Sequence, residues 1–452
     1  MMYSLSSVVV ARELMILGSF GDATCVPWPQ SYIYVLPDGY ESVSKTMARD
    51  FDSIMPEQST RASPIRRRLV VGMVRTQAND NLVTDSDACA TALACDVKPC
   101  NGAIAVNEDD HPVASALVAD HLGGFETGLN ATSRITHATP RICCATDWLH
   151  EPVWRISEFE SRQRAAAINI SQKRTAGSPS TAYSGGVEKG QGLHVRSGPR
   201  SLGRSCRAGQ YSAAFSGSFG SSHMAYEMDR DENKELSLDM TRAALALGGS
   251  TVRGLAAGLF HVIGASRISH AGHSGDAAAQ VGNILMYNQL LLAVDHDCGG
   301  LTLPSKWDPR PIAAASCTSE HLISLLGQCK GDGHKGYLAT ELLRQYGLSN
   351  QTGDVDGMPD TYKRSGSTAL VVTMGQALAA KAGIHWSTTS HTSVDVDLVL
   401  GRAKVPVGGN RDNAELAGQV IGVLGVSMAN RTAQLRAEEG EQLLRGGGTG
   451  GG

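Results

Sequence analysis

None of the ten cysteines lies in a C-x-x-C spacing. That absence removes the thiolate zinc patterns, and apart from the adjacent Cys143 and Cys144 the cysteines are too scattered for a compact disulfide framework. The redox compartment stays open. Charge is scarce too: charged residues make up 19%, aromatic residues only 5%, and the net charge is −4, so nothing electrostatic points to nucleic acid as a partner. No apolar run is long enough to span a membrane. The early apolar stretch Ser7-Val8-Val9-Val10-Ala11 is broken at Arg12 and Glu13, where a secretory leader keeps an uninterrupted core. Four N-x-S/T triplets, at Asn130, Asn169, Asn350 and Asn430, permit export without requiring it.

What the chain does have is apolar content and glycine. Hydrophobic residues at 42% of 452 can fill a sizeable core, as two or three domains or as one large α/β domain. Residues 1–30 read as an N-terminal extension, 31–428 as the folded body, and 429–452 as a tail that ends in almost pure glycine. Within the body, Arg174 to Ser222 is rich in Gly, Ser and Arg and poor in apolar residues, the composition of a mobile insertion.

Strands are expected at Tyr32–Leu36, Leu69–Val74, Ala103–Val106, Phe125–Asn130, Gly258–Ile263 and Thr368–Thr373. Helices are expected after Ser86, over Pro112–Leu122 and Leu238–Leu247, from Asp276 to Val294 with Ser274 as a possible cap, and over Thr318–Leu326, Tyr337–Tyr346 and Asp412–Leu424.

The stretch with the most chemistry is Thr84-Asp85-Ser86-Asp87-Ala88-Cys89-Ala90-Thr91. Asp85 or Ser86 would cap the alanine-rich helix that follows, and a serine there faces unpaired backbone N–H groups, a natural phosphate site. A capped surface helix has the same pattern. Asp38 follows the first strand, where α/β sheets place ligand groups, although Pro37-Asp38-Gly39 is also ordinary turn chemistry. His137 and Thr139 sit in a polar loop. His270 and His273 are three apart and could share a helical face, and Asp295-His296 precedes the Gly299-Gly300 pair.

Six of these pieces, in chain order, resemble alkaline phosphatases, the fungal vacuolar type in particular: Val35–Gly39, the octet at 84–91, Ile135–Pro140, Ser266–His273, Asp295-His296 with Gly299-Gly300, and Trp386–Thr392. The resemblance implies an α/β fold, with a large, mostly parallel central sheet and helices on both faces. It implies hydrolysis of small phosphate monoesters through a phosphoserine on Ser86, and a homodimer. It places Asp38, Asp295, His296 and Ser86 around one Zn²⁺, His273 and His391 at another, and Asp38 and Thr139 at Mg²⁺, with His137 beside them. Several positions depart from the family pattern. Gly264 and Ser269 stand where a magnesium Glu and a zinc Asp are expected, and Asp87 replaces alanine. Where a phosphate-clamping Arg is expected, the chain reads Asp147-Trp148-Leu149-His150, with Arg155 the nearest candidate. A catalytically impaired homologue that binds phosphate or a single metal is the alternative.

Overall fold

Tyr32–Leu36 forms strand β1, and its last three residues are fully buried. Such a near-continuous apolar run is the mark of a strand covered on both faces, as in parallel sheets. A computed structural model describes residues 31–55, 69–134, 137–140, 181–186, 216–220, 223–230, 258–287, 296–328, 342–348, 358–400, 408–433 and 436–437. In it β1 pairs in parallel with β6 (Leu259–Gly264), and β6 with β3 (Glu126–Ala131). Two more parallel strands, β4 (Thr181–Gly186) and β5 (Ser216–Gly220), complete the order β1-β6-β3-β4-β5. These last two come from the Gly/Ser/Arg-rich stretch, which extends the sheet at two places and is not loop throughout. A mixed sheet joins β10 (Gly409–Asp412), β2 (Leu69–Arg75) and β9 (Val396–Leu400), and a short hairpin joins β7 (Leu301–Thr302) to β8 (His385–Trp386).

Parallel neighbours need crossover connections, which helices commonly supply. Those that matter here are α1 (Ser42–Ile54), α2 (Ser86–Cys95), α3 (Ala116–Leu122), α4 (Arg267–Ser274), α5 (Ala277–Tyr287), α6 (Ser319–Leu326), α7 (Met358–Ala382) and α8 (Asn413–Leu424). One core joins Val35, Leu129, Phe260 and Ile263 of the sheet to Leu93 of α2, Tyr287 of α5 and Val420 of α8. A second joins Met47 and Phe51 of α1 to Val281 of α5, Leu322 of α6 and Leu370, Met374 and Leu378 of α7. Each such side chain contributes about 1.5–3 kcal/mol on burial. Helix α5 feeds both cores, so the small residues Ala277 and Ala278 let it pack closely. The fold is α/β, as expected.

Four local expectations change. Thr368–Thr373 is helix, not strand: Leu370, Met374 and Leu378 recur at four-residue spacing and are all buried, so helical packing overrides the β-propensity of Val371 and Val372. Ala103–Val106 is a loop with one bridge from Val106 to Pro112. Ala105 there has φ +54, outside any strand, and the Thr91 hydroxyl of α2 donates to Ala103 O and accepts from Ala105 N. The cap of α5 is Asp276, whose carboxylate accepts from Ala279 N, while Ser274 bonds back to His270 O. The helix expected from Pro112 starts only at Ala116. Expectations for residues 238–247 and 337–341 lie outside the described residues. Asn130 is fully buried and bonded to His261, so that sequon is no glycan site. Among the described residues no helix is long and apolar enough to cross a membrane.

Candidate functional site

Leu36 pairs with Gly264, and Gly264 with Ala131, so the C-terminal ends of β1, β6 and β3 lie side by side. Three loops leave the sheet at this one edge, the place where open α/β sheets hold ligands. The first carries Asp38, the second leads into α4, and the third continues to His137 and Thr139.

Ser86 opens α2. Asp85 is the N-cap: its carboxylate accepts from Ala88 N at 2.8 Å and from Gly102 N at 2.6 Å, which ties the helix start to the loop after it. The Ser86 hydroxyl thus sits at a helix N-terminus, where unpaired N–H groups and the dipole favour an anion. Asp87, buried in the same turn, adds a negative charge there.

Ser86 Oγ lies 3.0 Å from His296 Nε2, and Asp38 Oδ1 lies 3.3 Å from the same nitrogen. Both Asp38 and His296 are fully buried. Burial pushes His296 down to about 3, so it is a neutral imidazole. One ring nitrogen has a single proton or a single lone pair and satisfies one of these oxygens at a time. A divalent cation at that point would take all three groups as ligands, so the residues present fit a metal. Asp295, the expected fourth member, lies outside the described residues, as do Arg155 and residues 147–150.

His296 meets His391 because two loops are zipped together. Gly299 N donates to Ser390 O at 2.9 Å, Ser387 N to Gly300 O at 3.2 Å, and Cys298 bridges His391. The close approach requires glycine. A Cβ on Gly299 (φ +90) would fall 2.6 Å from the Trp386 ring, and one on Gly300 (φ +56) would fall 2.0 Å from Ser387 Oγ. The His296 and His391 rings are then 4.1 Å apart, and those of His391 and His273 are 4.9 Å apart. Burial pushes His391 down to about 2, and its Nε2 is buried with no hydrogen-bond partner among the described residues. Cys298 lies in this group: its sulfur and one ring nitrogen each of His273 and His391 are all within 4.8 Å of one another.

A second histidine cluster stands beside the first. His137, His223 and His270 meet edge-on with centroids 4.5–5.5 Å apart. Arg267 Nη1 donates to His270 Nδ1 at 2.9 Å, so His270 carries its proton on Nε2 and donates to His137 Nε2 at 3.2 Å. Burial pushes His137 down to about 4 and His223 to about 3. Thr139 is buried close by in sequence, and its Oγ1 has no hydrogen-bond partner among the described residues. Ser269 is buried, and its carbonyl accepts from Cys298 Sγ at 3.4 Å.

Sequence reasoning did not single out His223 or Cys298 as site residues. Nothing local marks His223, which reaches the cluster from far along the chain. The signal for Cys298 was its place inside the Asp-His-x-x-Gly-Gly stretch.

The chain is 28% identical over 459 residues to the repressible alkaline phosphatase of Saccharomyces cerevisiae, covering 86% of this chain and 79% of that protein. It is 25% identical to the alkaline phosphatase of Schizosaccharomyces pombe, covering 90% and 84%. The fold superposes on Thermus thermophilus alkaline phosphatase with a TM-score of 0.72 at 21% identity, covering 93% of this chain and 97% of that one. The family model for alkaline phosphatase matches residues 30–152 and 205–426. The chain therefore belongs to the alkaline phosphatase family, whose activity is the hydrolysis of phosphate monoesters.

Proposed function

We propose that the chain hydrolyses phosphate monoesters by way of a phosphoserine on Ser86 and that Zn²⁺ and Mg²⁺ serve it. The convergence of Ser86 Oγ and Asp38 Oδ1 on His296 Nε2 is the observation that carries this. Asp38 and His296, with Asp295 next in sequence, would hold one zinc; His273 and His391 belong to the other. Asp38 and Thr139 would hold magnesium, and the buried Thr139 Oγ1, with no hydrogen-bond partner among the described residues, suits that role. When bound, such cations acidify a serine hydroxyl and stabilise charge on a departing oxygen.

The chain's own part can be followed atom by atom. Ser86 Oγ attacks phosphorus; the Oγ–P bond forms as the ester P–O bond breaks and the alcohol leaves. Water then attacks phosphorus, the Oγ–P bond breaks, and serine and inorganic phosphate are restored. The first-turn N–H groups of α2 are donors for phosphoryl oxygens, and Asp85 fixes the helix start that presents them.

A second reading is an impaired homologue that binds phosphate or one metal. Gly264 and Ser269 favour it, since neither offers the carboxylate expected there. Elemental analysis paired with trapping of radiolabelled phosphate separates the two. About two or three metals per chain and label on Ser86 support catalysis; less than one metal and no label support the homologue. The homodimer implied by the family is tested by light scattering on the same sample.

A further inference from the structure

We propose that Cys298 supplies the anionic ligand missing at Ser269, so that His273, Cys298 and His391 form a thiolate-bearing metal site. Both this and the reading above place a metal on His273 and His391; what is new is the third ligand. Three independent features of the structure lead to it.

The first is proximity. One donor atom from each of the three residues lies within 4.8 Å of the others, and among the described residues they form the one such group of His, Cys, Asp and Glu. The second is the way the imidazoles are prepared. Thr389 O accepts from His273 Nδ1 at 2.7 Å, which fixes the proton on Nδ1 and leaves the Nε2 lone pair for a metal. His391 presents a buried Nε2 with no hydrogen-bond partner among the described residues. The third is the packing that places the sulfur. A Cβ on Gly272 of α4 would sit 2.8 Å from Cys298 O and 3.2 Å from Cys298 Sγ, and one on Gly39 would sit 2.6 Å from Ser269 Cα and 3.1 Å from Cys298 Cβ. Only glycines at both places let the Cys298 loop press against α4 beside Ser269.

The exchange balances in charge. A carboxylate at Ser269 would give two imidazoles and one negative charge. Cys298, on losing its S–H proton to water as the metal–sulfur bond forms, restores that charge with a softer donor. Two histidines and a thiolate leave a fourth position open, the pattern of a catalytic rather than a structural site. His273 and His391 are partly exposed while Cys298 is fully buried, so the group lies at the margin of the core. The softer donor shifts preference from Mg²⁺ toward Zn²⁺, Co²⁺ and Cd²⁺.

The test is titration of the metal-stripped protein with Co²⁺ alone, following absorption. A thiolate ligand gives a charge-transfer band in the near ultraviolet that nitrogen and oxygen ligands do not. The parent should develop this band, and Cys298→Ser should lose it together with about one equivalent of bound cobalt. In Cys298→Ser/Ser269→Asp the lost equivalent should return without the band. If the parent binds cobalt at its histidines but shows no band, Cys298 is not a ligand, and the metal-dependent function proposed above survives. If no cobalt binds, both fall. Should Cys298→Ser fail to fold, the sulfur shell in X-ray absorption of the parent and its loss in His273→Ala decide the matter: no sulfur neighbour in the parent overturns the proposal.

Discussion

His270 and His273 stand three residues apart on α4, yet His270 meets His137 at 3.2 Å while His273 lies against His391. A three-residue step turns a helix short of a full circle by about 60°. That offset is enough to aim the two rings into different clusters, so α4 forms a wall between them. The two histidines should therefore differ in metal analysis. His273→Ala should lose about one bound zinc per chain. His270→Ala should keep its zinc, because its ring is held by Arg267 and His137 and not by the His273–His391 group. Equal loss from both variants would mean that the clusters act as one site.

Ser86→Ala removes the only atom to which phosphate can become attached in the proposed route. Covalent labelling should vanish and kcat should fall by roughly a thousandfold or more, as for other lost nucleophiles. The Asp85 cap does not use the Ser86 side chain, so the melting temperature should stay within a few degrees of the parent. Turnover at parental rates in this variant would exclude the phosphoserine route.

Local chemistry carried much of this site in the sequence. Asp38 follows an apolar strand, Asp85 and Ser86 open an alanine-rich helix, and both readings need only neighbours along the chain. The helices expected over Thr318–Leu326 and Asp412–Leu424 form for the same reason, with Thr318 and Asp412 as their caps. What was not legible depends on packing between distant segments. Val371 and Val372 favour strand locally, and only the buried face of Leu370, Met374 and Leu378 makes the segment a helix. Strands β4 and β5 come from Gly/Ser-rich sequence whose order is supplied by a neighbour, β3, rather than by its own apolar pattern. Cys298 and Ser269 are far apart in sequence, and nothing short of the fold brings the Cys298 sulfur within 3.4 Å of the Ser269 carbonyl.

Arg267 ties the second histidine cluster to α6. It is 3% exposed, both Glu320 oxygens accept from its Nη2 at 2.8 Å, Nη1 donates to His270, and its guanidinium lies 3.7 Å over the Tyr226 ring. Lysine keeps the charge but loses the planar fork and the stacking. Arg267→Lys should cost about 1–3 kcal/mol in denaturant unfolding. It should also free His270 Nδ1, so the imidazole tautomer seen by nitrogen NMR should change. An unaltered tautomer would show that the arginine does not set it.

Asp120 on α3 is a test of buried charge away from the site. It is fully buried, neither carboxylate oxygen has a hydrogen-bond partner among the described residues, and burial pushes it up to about 8. The folded value lies above the unfolded one, near 3.9. Its contribution to stability is therefore full below about pH 4 and is lost as pH rises through 8. Asp120→Asn removes the ionisation. At about 1.4 kcal/mol per pKa unit, the variant should be more stable than the parent by on the order of 2–5 kcal/mol at pH 9, with the difference closing toward pH 4. A difference independent of pH would mean that the carboxyl is not held neutral in the fold.

Gly264→Glu asks whether the edge of the sheet can still hold magnesium. Gly264 ends β6 between Leu36 and Ala131, and a Cβ there would lie 3.3 Å from Ala131 Cβ, close enough that the neighbour must yield slightly. A carboxylate placed in this buried position without a cation is an unpaired charge, which costs several kcal/mol unless it takes up a proton. With Mg²⁺ held between it, Asp38 and Thr139, the same charge is compensated. Binding to the folded state alone adds RT ln(1 + [L]/Kd), about 2.7 kcal/mol at a hundredfold excess over Kd. The variant should therefore melt below the parent in chelator and recover in millimolar Mg²⁺, while the parent should respond to Mg²⁺ much less. Turnover should rise with the recovered stability. If the variant melts low with and without Mg²⁺ and activity does not move, the site no longer accepts magnesium. The impaired homologue would then be the better description of the chain.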